Sequence, residues 1–420
     1  MGVWRGAQRA DTGRVKAKAR LLTYGALASL WIVLLGSGCS TPALRHARTD
    51  FYAGRLEQAE DALDRRRFPR RDRVLFLMER GAILQAQGDW DASSDDFIAA
   101  HDRLVELETR SISRGAGSLV INDAIRDFVG APFERTLLHA MTAHNHLALG
   151  HWDNAAVEAR RILQTLSDDH RRNYPDEPYA RYLAGLAFEL IDDPSNAALQ
   201  YRRANDLLPH VHIDPDTGRL GPPQPPADEN IHGAWPVDAT PDRSTGRPGH
   251  DQELIVALQL GRTPAGSVAL GQAAHHLAPL YAEIHINGEY AGRTYNLSDT
   301  AFLRAQTERV RVWRDAARTV TRIAIKESIA VAAESGNNEW AGDLVRFILI
   351  GLLEQPDDRR WLTLPRWFQV ARVPAPADLS CYTVVVKNRH GQTLRRYDVE
   401  TPIQRRRQQW VSVHREVGSF

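Results

Sequence analysis

GRLEQA at Gly54–Ala59 recurs along the N-terminal half of this 420-residue chain, as GDWDAS at Gly88–Ser93, GHWDNA at Gly150–Ala155 and DDPSNA at Asp192–Ala197. Gly54 and Gly88, which open the first two phrases, are separated by about 34 residues, a period typical of helical hairpins that stack in one direction. From Ala43 to Pro209 the apolar residues follow a helical period, without the alternation of strands. The stretch therefore predicts an α-helical solenoid, with the phrase at the turn of each hairpin.

The spacing of small, aromatic and proline residues around these turns resembles the tetratricopeptide repeat (TPR). The matching positions are Gly185, Ala197, Tyr201, Ala204 and Pro209 in the last repeat, and Gly81, Ser93, Phe97 and Ala100 in the second. Small residues let two helices approach closely, and proline ends the second helix. The resemblance implies a concave face that binds a partner, lined by Met78 and Gln85 and by Tyr179, Tyr182 and Leu186. The same positions are equally compatible with plain packing.

The period breaks once, because Gly88 and Gly150 are separated by nearly two periods instead of one. We expect an insertion near residues 107–134, which either projects from the solenoid as a binding element or elaborates its packing. Composition then changes abruptly to Pro, Gly, Asp and Thr in a predicted linker over residues 214–250.

Residues 251–420 are predicted to form a smaller mixed domain with an antiparallel sheet. Glu253–Gly261 has the composition of a strand, and two hairpins are predicted to turn at Asn287–Gly288 and near His390–Gly391. Helical periods cover residues 315–333 and 339–353. The expected fold class is thus α + (α+β): a TPR-like domain over residues 39–213, the linker, and this mixed domain.

Residues 1–38 have the pattern of an export signal. Basic residues from Arg14 to Arg20 precede an apolar run from Leu21 to Leu35, which is shorter than the roughly 20 residues of a membrane span. Gly36–Gly38 is a small-residue cleavage site directly before Cys39. It resembles the lipobox of bacterial lipoproteins, although Gly36 stands where a large aliphatic residue is usual. The alternative is an ordinary signal peptide followed by a chance cysteine.

The lipoprotein resemblance implies that Cys39 is lipidated and that the mature chain is anchored without a helix. Two or three acyl chains hold a protein on a bilayer almost permanently. Ser40 follows, instead of the aspartate that retains lipoproteins at the inner membrane of enteric bacteria, which favours the periplasmic face of the outer membrane. Cys381 is then left without a disulfide partner, and its apolar context predicts a buried, inert thiol.

The composition and motifs give little support to other functional classes. The net charge of +1 offers no basis for nucleic-acid binding. None of the strong catalytic motifs occurs, so we expect no enzyme activity and no cofactor. His210, His212 and Asp214 are the best metal candidates, but surface histidines fit that position better. Three arginines at 405–407 before Trp410 could touch phosphate or acidic groups at the envelope, although a solvated tail fits them better.

Two segments resemble an uncharacterised family of Gram-negative lipoproteins with a TPR half and a mixed half. They are GAPFERTLLHAMTAHNHLALGHWDNAAVEARR at Gly130–Arg161 and DDRRWLTLPRWFQVAR at Asp357–Arg372, the second with a D-x-R-x-W-x-x-L-P pattern. The family has no established activity, and the resemblance implies a role near peptidoglycan synthesis. The charged residues of the first segment, Glu134, Arg135, Glu158 and Arg161, are expected to form an ion-pair network, with a ligand site as the alternative.

Three functions follow from these patterns. The leading hypothesis is a lipid-anchored adaptor whose repeats bind another cell-envelope protein. The alternative is peptidoglycan binding by the C-terminal half, with Arg360, Trp361 and Trp367 against sugar or carboxylate. An envelope hydrolase is a distant third, because the sequence offers no nucleophile, base or metal site.

Overall fold

The computed structural model describes residues 42–64, 70–114, 127–223, 252–264, 280–312, 359–400 and 403–417. From Ala43 onward these residues belong to a single compact unit. Its helices are α1 Pro42–Tyr52, α2 Leu56–Asp64, α3 Arg73–Gln87, α4 Trp90–Arg114, α5 Pro132–Ala148, α6 Trp152–His170, α7 Pro178–Leu190, α8 Pro194–Asp206 and α9 at 300–312. Its strands are β1 His212–Ile213, β2 Leu220–Gly221, β3 Glu253–Arg262, β4 Leu280–Ile286, β5 Glu289–Arg293, β6 Tyr295–Asp299, β7 Pro365–Pro374, β8 Tyr382–Asn388, β9 Thr393–Val399, β10 Gln404–Arg406 and β11 Gln409–Arg415.

The first eight helices are joined in pairs by short turns, as the repeated phrase predicts. At the turns α1–α2, α3–α4 and α5–α6 stand Gly54, Gly88 and Gly150, with φ of 76°, 83° and 73°. Asp192 occupies the same place between α7 and α8 with φ of 66°. Glycine and aspartate are among the residues that tolerate this left-handed backbone best. The phrase therefore marks helix–helix turns throughout the N-terminal half.

The small residues predicted between paired helices do permit a close approach. A Cβ atom on Gly81 of α3 would lie 2.5 Å from the ring of Phe97 on α4. A Cβ atom on Gly185 of α7 would lie 2.8 Å from the ring of Tyr201 on α8. Glycine at these positions gives the aromatic ring of the second helix the space that it fills.

Besides the two-stranded β1–β2 hairpin, the described residues form two larger sheets. One has five strands in the order β10-β11-β3-β7-β6, and the other has four in the order β5-β4-β8-β9. The four-stranded sheet is antiparallel, as predicted, and its turns at Asn287–Gly288 and His390–Gly391 are confirmed. The five-stranded sheet is mixed, because β11 runs parallel to β3. The expected mixed α+β class is therefore correct, although the sheet is not purely antiparallel.

The five-stranded sheet lies between the helices and the four-stranded sheet. Ile255 and Ala257 of β3 pack in one core with the helices, whereas Leu254, Val256 and Leu258 pack against the four-stranded sheet. A strand that is buried on both faces needs a continuous apolar run, which LIVAL supplies. The five-stranded sheet thus contributes to two hydrophobic cores, one shared with the helices and one with the four-stranded sheet.

The first part of the predicted linker contains β2, which pairs with β1 in a small antiparallel hairpin. The helical periods at 315–333 and 339–353 lie outside the described residues. Within the described part of the chain, no helix is both long and apolar enough to cross a membrane.

Candidate functional site

The face proposed for partner binding is the inner face of the hairpins, formed by the first helix of each pair. All five predicted residues lie on it and are buried: Met78, Gln85, Tyr179, Tyr182 and Leu186. Gln85 donates to Met141 O and to Asn145 Oδ1 at 3.0 and 2.6 Å. Tyr182 donates to Gly218 O at 2.9 Å. In this conformation these side chains are covered by the protein itself and are not available to a partner.

Segment 359–364 of the C-terminal half occupies much of this inner face, and Glu79 of α3 holds it. The Glu79 carboxylate accepts hydrogen bonds from the backbone N–H groups of Leu362 and Thr363 at 2.9 and 3.2 Å. Its charge is balanced by Arg48 of α1, whose guanidinium lies 2.5 Å away. Because Glu79 is 1% exposed, these donors replace the water that a carboxylate otherwise needs.

Glu134 of α5 holds the same segment one hairpin later. It accepts a hydrogen bond from Trp361 N at 3.1 Å and caps α5 by accepting from Ala131 N at 2.8 Å. The guanidinium of Arg304 on α9 lies 3.8 Å from the carboxylate. Burial raises the pKa of Glu134, against the lowering effect of Arg304 and these two N–H groups. We refer to Glu79 and Glu134 as the carboxylate pair.

Trp361 is the side chain that anchors the segment. It is fully buried, it meets the Phe97 ring edge to face at 5.8 Å, and its indole N–H donates to Thr363 Oγ1 at 2.9 Å. Arg360 is partly exposed and forms an ion pair with Glu308 at 3.0 Å. A buried indole cannot stack on a sugar, and Trp367 is only 6% exposed, so neither tryptophan proposed for glycan binding is available to a sugar in this conformation.

Arg372 provides a second connection between the helices and the sheets. Its guanidinium is buried and contacts Glu189 of α7 at 2.7 Å and Glu253 of β3 at 2.5 Å. Gln409 donates to the same Glu253 carboxylate at 3.0 Å. The segment Asp357–Arg372, which carries the lipoprotein resemblance, therefore joins the two halves of the molecule at Trp361 and again at Arg372.

His144 of α5 lies between these two connections. Gln259 Nε2 donates to its Nδ1 at 2.7 Å, which leaves Nε2–H to donate to the Tyr179 hydroxyl. Burial, with a smaller effect of Arg415, lowers the pKa of His144 to about 3, so the ring is neutral near pH 7. Phe368 of β7 stacks on Tyr179 with 4.7 Å between the ring centroids. His144 acts here as a buried hydrogen-bonding group.

The predicted ion-pair network divides into separate sets. Arg135 reaches Glu108 at 2.8 Å and Asp169 at 3.5 Å. Glu158 instead pairs with His139 and with Arg161, both at 2.7 Å. The pairs of Arg135 and the His139–Glu158 pair connect neighbouring helices, whereas Glu158 and Arg161 pair within α6.

The remaining candidates are the predicted metal ligands and the two cysteines. His210 donates to Asn296 O at 3.1 Å, and Asp214 accepts from the N–H groups of Asp216 and Thr217 in a turn. Over the described ranges, no group of three or more His, Cys, Asp or Glu side chains is arranged to hold a metal ion. Cys381 is exposed, so the prediction of a buried thiol is wrong. Cys39 lies outside the described residues.

The arginines at 405–407 contact the protein itself. Arg406 donates to Leu190 O at 3.0 Å, Arg407 pairs with Asp192, and Arg405 lies over the Trp410 ring at 4.8 Å. Arg406 and Arg407 border a shallow cleft of about 380 Å³, which is also lined by Glu189, Leu190, Asp192, Pro194 and Gln409. Its charged groups already pair within the protein.

The sequence predicted ion pairing for Glu134 but no role for Glu79, and it did not predict that both carboxylates contact segment 359–364. One signal for Glu79 was present, because Glu79 and Arg80 interrupt the otherwise apolar run VLFLMERGAIL. Comparison with protein-family models, with curated proteins and with solved structures finds no match to this chain.

Proposed function

We propose that this protein is a lipid-anchored adaptor on the periplasmic face of the outer membrane, where it binds another protein of the cell envelope. The observation that carries the proposal is the position of Cys39 relative to the folded unit. Helix α1 begins at Pro42, so cleavage before Cys39 removes none of the described residues. Four side chains of α1 are buried, and the first residue of this helix stands three positions after the proposed lipid site.

Such a connection is short. Three residues span at most about 11 Å when fully extended. A lipid on Cys39 would thus hold the folded unit at the membrane surface and concentrate any bound partner there. The hydrophobic gain from two or three acyl chains is large enough for stable attachment without a membrane-spanning helix.

The exposed surface of the second helix in each pair supports the adaptor function. Because the inner face is covered, the partner is expected on the outer surface, where α4, α6 and α8 each present one aliphatic side chain. Val105, Val157 and Leu199 are 47%, 44% and 43% exposed. TPR-like repeats are part of the proposal, supported by the four turns at the repeated phrase. A link to peptidoglycan synthesis rests on the family resemblance alone.

Photo-crosslinking in growing cells tests the adaptor. A photoreactive amino acid at Val157 or Leu199 is expected to give a discrete adduct with one envelope protein, because both side chains are exposed on the outer helices. Tyr290, which is 55% exposed on the four-stranded sheet, is the matched control position and is expected to give none. Cys39→Ser should remove the adduct. Failure of both helix positions to capture a protein would overturn the adaptor function.

A further inference from the structure

Strand β9 is an edge of the four-stranded sheet. Among the described residues it pairs with β8 on one side and with no strand on the other. Thr393 to Arg396 and Asp398 are exposed, and Leu394 is 46% exposed. An open edge of this length offers unpaired backbone N–H and C=O groups to another strand.

The charges on β9 decide which strand fits this edge. Arg396 and Asp398 are two residues apart, so their side chains lie on the same face of the sheet. The Asp398 carboxylate accepts a hydrogen bond from Thr383 Oγ1 at 2.5 Å, and Arg396 makes no ion pair within the described residues. Charged edge strands commonly prevent pairing. Here the order of the charges makes the strand complementary to itself.

We propose that two copies of this chain associate by antiparallel pairing of their β9 strands about a two-fold axis at Tyr397. In that register Arg396 of each copy lies opposite Asp398 of the other. One interface therefore contains two cross-strand pairs of opposite charge. The axis is perpendicular to the sheet, so two four-stranded sheets join into one of eight strands that keeps the same face outward.

A shift of the two-fold axis by one residue, from Tyr397 to Arg396, is unfavourable because it brings like charges together. An axis at Arg396 places the two Arg396 side chains directly opposite each other, which is repulsive. Arg395 lies on the other face, where it already pairs with Glu416 of its own chain. The charges of β9 thus select the register at Tyr397.

The association is expected to be weak in free solution. Strand pairing at one edge gives a small interface, below the area of stable dimers. A lipid anchor confines copies to one plane and raises their effective concentration. This part of the argument rests on the lipid anchor proposed above, whereas the register depends only on the strand.

Energy transfer between anchored copies tests the proposal. The full mature lipidated chain is labelled at the exposed Cys381 with donor or acceptor dye and placed in phospholipid vesicles at varied surface density. The wild type is compared with Arg396→Asp, with Asp398→Arg and with the double variant. Each single reversal turns two attractive pairs into two repulsive ones, so we expect the density at half-maximal transfer to rise at least about tenfold.

The double variant exchanges the two charges and restores both pairs. It also lacks the same Thr383 contact as Asp398→Arg, so it controls for that loss. We expect its half-maximal density to lie within about threefold of the wild-type value. Transfer that is unaffected by the single reversals, or that stays lost in the double variant, would overturn the pairing. A wild-type chain that fails to enter the vesicles would count against the lipid anchor instead.

Discussion

Glu79 is a buried charge that holds two elements from distant parts of the chain. Glu79→Gln removes the charge opposite Arg48. The Arg48 guanidinium, which is 11% exposed, is then left without its counter-ion. We expect the free energy of unfolding to fall by about 3 kcal/mol. Urea titration with a tryptophan fluorescence signal measures the change.

The control for Glu79→Gln is Asp50→Asn. Asp50 pairs with Arg55 at 2.6 Å, but the arginine side chain is 52% exposed. Screening by water limits such a pair to less than about 1 kcal/mol. Equal losses in the two variants would contradict the role of Glu79 in holding segment 359–364.

Glu177 gives the protein a defined pH dependence. It caps α7, and burial raises its pKa to about 7, despite the hydrogen bonds that it accepts. Its folded-state pKa exceeds the ordinary value of 4.5, so its contribution to stability is full below pH 4.5 and is lost as the pH rises through 7. Between pH 5.5 and 8, the free energy of unfolding of the wild type should fall by about 2 kcal/mol relative to that of Glu177→Gln.

His144 is expected to act in the opposite direction. Its folded-state pKa of about 3 lies below the ordinary 6.5, so its contribution to stability is lost as the pH falls below 6.5. Urea titrations at the same two pH values should therefore show that the free energy of unfolding of the wild type, relative to that of His144→Gln, rises between pH 5.5 and 8.

Glu177 is not the group responsible for its predicted pH dependence if the free energy of unfolding changes with pH equally in Glu177→Gln and in the wild type.

At the scale of elements, the packing of paired helices depends on single glycines. Gly185→Ala places a Cβ atom 2.8 Å from the Tyr201 ring, so α7 and α8 must separate. Overpacking of this kind destabilises by about 1–3 kcal/mol. Thermal unfolding is the measurement, with Gly221→Ala as the matched control, because no atom lies within 4 Å of a Cβ at that position. Equal melting temperatures for the two variants would contradict the close packing.

The turns and strands could be predicted because their signals are local. Gly54, Gly88 and Gly150 mark turns by their backbone freedom, and Asn287–Gly288 marks a hairpin by its turn type. The occupant of the inner face could not be predicted in the same way. Segment 359–364 reaches Glu79 from the far end of the chain, and no local period encodes such a contact.

At the scale of the molecule, the helices and sheets are held together by polar contacts as well as by a shared core. Trp361, Leu362 and Arg372 belong to one continuous segment and bind it to α5, α3 and α7, respectively. The expected separation into a helical domain and a C-terminal domain stays a prediction about independent folding. Within the compact unit, the two halves bury each other's polar groups.

Membrane attachment of this unit depends on the lipid proposed for Cys39. Cells producing the wild type, Cys39→Ser or Cys381→Ser are labelled with an alkyne fatty acid, and the protein is purified and assayed for label. We expect label in the wild type and in Cys381→Ser, and none in Cys39→Ser. An unlabelled wild-type protein, or label that persists in Cys39→Ser, would contradict it.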